Sequence, residues 1–125
     1  MALLTALGLI SLALAALSGW LVLAITERPQ WFRERGIPQP ARFRQLHLDW
    51  VFMGLLLIAV QVAAPQMPDW IRGLIAFGAI VNPLLFVPLA WGPAVKSNPL
   101  FVGVTLTSFL SLSVGLPALA IWAIA

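Results

Sequence analysis

Residues 2–26 read ALLTALGLISLALAALSGWLVLAIT and contain no charged side chain. A helix of about 20 apolar residues is long enough to cross the hydrocarbon core of a bilayer. The run is longer than the apolar core of a cleaved signal peptide, which spans about 7–15 residues, and no positive segment precedes it. We therefore predict that it is a membrane-spanning helix.

Three further apolar stretches follow, and most charged residues lie between them. We predict helices over residues 2–26, 46–64, 71–92 and 99–124, within a single transmembrane domain that covers residues 1–125. The long blocks of Leu, Ala, Val and Ile favour an all-α integral membrane four-helix bundle, because strands of a membrane barrel would alternate with a period of about two.

The composition excludes several classes of protein. Hydrophobic residues make up 62% of the 125 residues and charged residues only 9%, whereas soluble domains carry roughly a quarter charged residues. The chain has no Cys, no Tyr and one His. Disulfides, iron–sulfur clusters, zinc thiolate sites and cysteine nucleophiles are therefore excluded, and few side chains remain for proton or metal chemistry.

The basic residues predict the topology. The loop between the first two spans holds five arginines, namely Arg28, Arg33, Arg35, Arg42 and Arg44. Lys96 lies in the third loop and Arg72 in the second. The positive-inside rule places loops one and three in the cytoplasm, and we expect the membrane to be a bacterial cytoplasmic membrane. The arginines suit the lipid bilayer and its anionic headgroups, so we expect no nucleic-acid partner.

Small residues at four-residue spacing predict helix contacts, because transmembrane helices associate through such positions. The two stripes are Ser11, Ala15 and Gly19 on the first helix, and Gly103, Thr107, Ser111 and Gly115 on the fourth. We expect both stripes to meet other helices, within one protomer or across a contact between subunits.

Asn82 and Pro83 interrupt the middle of the third span. Pro83 cannot donate a hydrogen bond to the carbonyl of Ala79, so the helix should kink there. A polar group at this depth is a candidate functional residue. The alternative is that Asn82 only satisfies the backbone groups that the kink leaves free.

His47 precedes the second apolar stretch, within a segment that also carries Arg42, Arg44 and Asp49. Three interpretations remain open: an interfacial residue without a role, a proton-handling group, or an axial ligand of haem iron. A single histidine cannot form a closed zinc site. In the haem interpretation, the two arginines suit the propionates.

Two motifs carry a resemblance to a known family. Residues 44–54 read RQLHLDWVFMG, and Phe77-Gly78 is followed by Asn82 and then by Trp91-Gly92. The first motif resembles the start of the second helix, and the other the third helix, of the hydroxylaminobenzene mutase and styrene oxide isomerase group. The resemblance covers residues 42–92.

The resemblance implies a small four-helix membrane protein that forms a cyclic homo-oligomer, a trimer in styrene oxide isomerase, with haem b between subunits. It implies that His47 is the metal ligand and that ferric iron acts as a Lewis acid in a non-redox isomerisation. The substrate would be small and apolar, and the reaction would convert an epoxide to a carbonyl compound or be of the hydroxylamine mutase type. The alternative is a non-catalytic membrane subunit or assembly partner without haem.

By the same resemblance, Asn82, Met53 and Phe77 are pocket candidates, and Asp49 supports an arginine or the imidazole. Met53 stands where the family has Asn, Phe77 where relatives have Tyr, and Pro83 where they have Trp. His47 and Met53 are six residues apart, which places them roughly 120° apart around a helix. They cannot line one pocket side by side, so each copy could offer His47 to one haem and Met53, as a sixth ligand, to the next.

Overall fold

The computed structural model of the protein describes residues 1–125 and is all-helical. Its elements are α1 (Leu3–Glu27), α2 (Pro29–Arg33), α3 (Arg42–Ala63), α4 (Asp69–Leu84), α5 (Phe86–Leu89), a 3-10 helix (Pro93–Ser97) and α6 (Pro99–Ile124). Four helical segments are long and apolar enough to cross a membrane: α1, α3, α4 together with α5, and α6. The prediction of four apolar helices compatible with a membrane bundle is confirmed.

The second long helix begins at Arg42, four residues before the predicted start at residue 46. The N–H groups of Phe43 and Arg44 already donate to the carbonyls of Pro40 and Ala41, at 3.0 Å each. A prediction from uncharged stretches misses this first turn because arginines at a helix end can extend their charged groups towards water.

The third span is broken near its middle proline, as the sequence predicts. The helix α4 ends at Leu84, and α5 resumes at Phe86. Pro83 and Pro88 have no N–H to donate to the carbonyl four residues earlier. Around this point the Leu85 N–H bonds to the Asn82 carbonyl, three residues back, at 3.3 Å. The predicted helix over residues 71–92 is therefore two helices that together reach Leu89.

The long helices form an arc. The most extensive contacts join α1 to α3 and α4 to α6, while α3 lies against α4 and links the two pairs. The first and last helices, α1 and α6, make no close backbone contact with each other. The arc therefore has two edge helices, and most residues of each long span are exposed or half-buried.

Two hydrophobic clusters hold the arc together. The terminal core lies at the end where both chain termini are found, and its most buried members are Leu4, Leu57, Ile71, Ile75 and Ala79. The loop core lies at the other end and consists of Ile25, Phe32, Phe43, Leu46 and Ala90. His47 directly follows Leu46, a member of the loop core, so the histidine lies at this end of the molecule.

The first and third loops lie side by side next to the loop core. The Gln39 N–H donates to the Ala90 carbonyl at 3.0 Å, and the rings of Phe43 and Trp91 pack edge to face with centroids 5.9 Å apart. Six of the seven basic side chains therefore share one end of the molecule. That grouping is what the topology prediction requires, while the cytoplasmic assignment of this end stays a prediction.

A close backbone contact joins Gly8 on α1 to Gly54 on α3. A methyl group built on Gly8 would lie 2.7 Å from Cγ1 of Ile58 and 2.8 Å from the carbonyl oxygen of Gly54. One built on Gly54 would lie 2.9 Å from the carbonyl oxygen of Gly8. Only glycine lets the two backbones approach this closely, as is common between membrane helices.

The predicted stripe of small residues is buried or half-buried along α1, but only part of the stripe on α6 is buried. On α1, Ser11 and Ala15 are buried and Gly19 is half-buried, all towards α3. On α6, Ser111 and Gly115 are buried. No atom of another element lies within 4 Å of a methyl group built on Gly103, and Thr107, the next residue of the stripe, is exposed. Each four-residue step overshoots a full turn by about 40°, so the stripe rotates away from α4.

We expect Gly54→Ala to destabilise the protein, because the added methyl group must push α1 and α3 apart. Overpacking of this kind costs about 1–3 kcal/mol of unfolding free energy. The measurement is thermal or denaturant unfolding of the purified protein in mild detergent. Gly103→Ala is the matched control, since no atom lies within 4 Å of the added methyl group. Equal unfolding midpoints for the two variants would contradict the role assigned to this contact.

Candidate functional site

His47 lies one turn inside α3, is half-buried, and faces α1. Its Nδ1 atom is 3.0 Å from the hydroxyl oxygen of Ser18, which is buried on α1. The ring also lies against Gly19, where a methyl group would come 3.7 Å from Cε1 of the imidazole. Serine and glycine at these two positions therefore leave room for the ring and provide one polar partner.

The hydrogen bonds of Ser18 indicate which ring nitrogen carries the proton. The same hydroxyl donates to the carbonyl oxygen of Ala15 at 3.0 Å. A hydroxyl has one proton to donate, so both contacts are satisfied when the Nδ1–H group of His47 donates to the serine oxygen. In that tautomer Nε2 keeps a free lone pair, which is the state that a metal-binding imidazole needs.

Asp49 faces away from the histidine. It lies two residues further along α3, which is about 200° around the helix axis. Its Oδ2 atom accepts a hydrogen bond from Nδ2 of Asn82 on α4, at 3.2 Å. No hydrogen bond joins Asp49 to the imidazole, whose partner is Ser18. Two sequence-predicted residues, Asp49 and Asn82, are therefore brought together, but on the other side of α3 from His47.

The structure separates the remaining pocket candidates. Met53 is half-buried and packs against the terminal core. Phe77 lies on α4 with 42% of its surface exposed. It is five residues from Asn82, or about 140° around that helix. Met53, Phe77 and Asn82 thus line no common pocket within one chain.

Arg42 and Arg44 lie on different sides of the first turns of α3. Arg44 donates to the hydroxyl of Thr26 at the end of α1, at 3.1 Å. Arg42 donates instead to the side-chain oxygens of Gln45, at 2.8 Å, and Gln39, at 3.4 Å. Arg44 is three residues before His47 and shares its side of the helix, whereas Arg42 is about 140° away. Of the two, Arg44 is better placed to act beside the histidine.

A groove of about 360 Å³ opens between α4, α5 and α6. Its walls are mainly apolar and include Phe86, Phe101 and Phe109. Three polar side chains, Asn82, Lys96 and Thr105, also line it, and the hydroxyl oxygen of Thr105 is buried without a partner. Asn82 therefore contacts both Asp49 and an apolar groove.

Sequence reasoning missed Ser18 and Thr105. Ser18 had a detectable signal, because it follows Ser11 by seven residues and therefore shares its helix face. Thr105 had none, since a threonine in a transmembrane helix usually bonds to its own backbone and no pattern distinguishes it.

We expect Asp49 and Asn82 to be energetically coupled, because truncating one leaves the other half-buried without its partner. A double-mutant cycle with Asp49→Ala, Asn82→Ala and the double variant should give a coupling of about 0.5–2 kcal/mol in unfolding free energy. Pairing Asp49→Ala with Thr107→Ala gives the control, since Thr107 bonds only to its own helix. Additive effects in the first cycle would show that the hydrogen bond contributes nothing to stability.

Comparison with protein-family models, with curated proteins and with solved structures found no match to this chain. The functional interpretation therefore depends on the chemistry of the two side-chain pairs, His47 with Ser18 and Asp49 with Asn82, and on the resemblance in residues 42–92.

Proposed function

We propose that this protein binds haem b in the membrane with His47 as the axial ligand of the iron. The observation that carries the proposal is the contact between Nδ1 of His47 and the Ser18 hydroxyl, which leaves Nε2 free. Histidines that bind metals usually donate their other ring N–H to an oxygen atom, which fixes the ring and its tautomer. The only histidine of the chain has this arrangement.

The residues near His47 are compatible with haem. Gly19 lies against the ring without a side chain of its own, and Arg44, one turn earlier, supplies a guanidinium group suited to a propionate. His47 lines none of the four grooves of the single chain. A porphyrin at this position therefore needs a second surface, and we propose that another copy of the chain supplies it. The family resemblance favours a trimer.

A shared site also explains how the separated polar groups could act together. Asp49 and Asn82 lie on the far side of α3 from the histidine of their own chain. Met53 is about 120° from that histidine around the helix and packs against the terminal core. In a cyclic assembly, one copy would contribute His47, Ser18 and Arg44, while its neighbour would contribute the Asp49–Asn82 pair.

The proposed reaction is a non-redox isomerisation of a small apolar substrate, either of an epoxide to a carbonyl compound or of the hydroxylamine mutase type. Bound ferric haem would supply a Lewis acid that stabilises negative charge developing on a substrate oxygen. The chain's own residues orient the imidazole and the substrate and exclude water. Ser18 holds the imidazole, and the Asn82 amide, itself held by Asp49, is available to position a polar atom of the substrate. Apolar side chains around them keep water out.

We expect the purified protein to show a Soret absorption band that His47→Ala removes, because that variant lacks the axial nitrogen. Ser18→Ala should keep the band but bind haem about 10–100-fold more weakly, since it loses the group that orients the ring. The measurement is haem titration followed by optical absorption in mild detergent.

Met53→Leu is the control for this titration and should bind haem like the unaltered protein. An open five-coordinate spectrum is expected, because the Met53 side chain packs within its own chain. A protein that stays colourless after haem is added would refute haem binding and favour the non-catalytic membrane subunit.

We expect haem to be bound only by an oligomer, because one chain offers the imidazole a single surface. Size-exclusion chromatography with simultaneous detection at the protein and Soret wavelengths should place all haem absorbance in the oligomer peak. Adding enough detergent to separate the copies should release haem while the helices stay folded by circular dichroism. Stable haem in a monomer peak would contradict the shared site.

A further inference from the structure

A second polar site lies at the same end of the molecule and goes beyond the proposed function. Three arginines, Arg33 from α2 and Arg42 and Arg44 from α3, line one groove of about 610 Å³. Gln39, Gln45 and Leu48 are also among its lining residues. We call this the arginine groove.

The positive charge of the arginine groove is not neutralised within the chain. The one ion pair of the protein joins Arg72 to Asp69, at the opposite end. Arg42 donates to the neutral amide oxygens of Gln39 and Gln45, which also line the groove, and Arg44 donates to the neutral hydroxyl of Thr26 at the end of α1. These bonds hold two of the guanidinium groups in place while their charge remains available.

Three like charges in one groove repel each other, and an anion between them would remove that cost. The guanidinium group presents planar pairs of N–H donors that match the oxygens of a phosphate group. Because side-chain amides already position Arg42, less conformational freedom is lost when a phosphate binds than on a flexible surface.

The position of the groove identifies the source of the phosphate. Leu48, one turn after Arg44, lines the groove and is 47% exposed at the start of the apolar part of α3. Arg35, which follows α2, stacks over the exposed ring of Trp31 on that helix, at 3.8 Å from the ring centroid. Tryptophan and arginine together are typical of headgroup depth in a bilayer.

From this arrangement we infer that the arginine groove binds the phosphate of an anionic phospholipid, whose acyl chains pass Leu48 into the membrane. The ligand would be a lipid with a net negative headgroup, such as phosphatidylglycerol, rather than a zwitterionic one. The bound lipid would fix the loop between α1 and α3 against the bilayer surface.

The experiment compares two double variants that each remove two positive charges from the same loop. Arg33→Gln with Arg42→Gln removes two groove side chains, and Arg28→Gln with Arg35→Gln removes two outside it. Binding is measured by native mass spectrometry of the full chain with phosphatidylglycerol or phosphatidylcholine added in detergent. We expect the groove variant to bind phosphatidylglycerol roughly 10–30-fold more weakly than the unaltered protein, and the outside variant to change by about twofold or less.

Several outcomes would overturn the proposal. Equal losses in the two double variants would indicate diffuse attraction to anionic lipid without a site. Equal binding of phosphatidylcholine would exclude recognition of headgroup charge. Protection against thermal unfolding by inorganic phosphate as large as that by the lipid would identify a site for free anions instead.

Two further variants separate this site from the others. Arg33→Lys with Arg42→Lys keeps the charge and should fold normally while weakening lipid binding several-fold, since lysine lacks the planar pairs of donors. His47→Ala should bind the lipid like the unaltered protein, because the imidazole does not line the groove. A loss in His47→Ala as large as in the groove variant would refute an independent lipid site.

Discussion

The close approach of α1 and α3 at Gly8 and Gly54 is the constraint on which the rest of the structure depends. In hydrocarbon, burying an apolar side chain against another helix gains little over burying it in lipid, so close packing has to hold the helices together. The glycine contact allows that packing and sets the relative position of the two helices. The buried face of α1 then continues in steps of three and four residues, through Leu4, Gly8, Ser11, Ala15 and Ser18. Seven residues before Gly54, the matching face of α3 presents His47, and this is why the imidazole meets Ser18.

The same geometry places the polar side chains of α3 on two different faces of the helix. Residues at seven-residue spacing, His47 and Gly54, face α1, whereas Asp49 and Leu57 face α4 and the terminal core. A helix between two neighbours in an arc has two opposite contact faces. Polar residues two positions apart along it are therefore separated by about 200°, although they are adjacent in the sequence. Nearness in sequence is a poor guide to a shared site on such a helix.

The four spans could be predicted because each depends on a property of the chain alone, namely a long apolar stretch between charged loops. The break after Pro83 was predictable for the same reason, since the missing N–H is a local feature. On α6, Ser111 and Gly115 are buried as predicted, and the buried face continues through Ser108, while a contact of Gly103 and Thr107 with another subunit stays a prediction. The partner of His47 depends on how α1 and α3 align with each other. The sequence indicates that alignment only through the spacing of small residues on the two helices.

Hydroxyl groups within the spans mostly bond to their own helices, as Ser11 does to Leu7 and Thr107 to Gly103. The side-chain hydrogen bonds that cross between spans are few, and each neighbouring pair of the arc has at least one. Ser18 and His47 join α1 to α3, and Asn82 and Asp49 join α3 to α4. Arg44 also joins α3 to Thr26 of α1, and Ser108 joins α6 to the Gly78 carbonyl of α4 at 3.3 Å.

Two of these four connections are also the two candidate functional pairs. In a chain with so few polar side chains, the groups that hold the helices in register and the groups available for chemistry are largely the same residues. Structure and function therefore constrain the same positions. A substitution at Ser18 or Asn82 changes both the packing of a helix pair and the orientation of the side chain that it holds. The orientation of His47 for a ligand is thus a consequence of the contact that aligns α1 with α3.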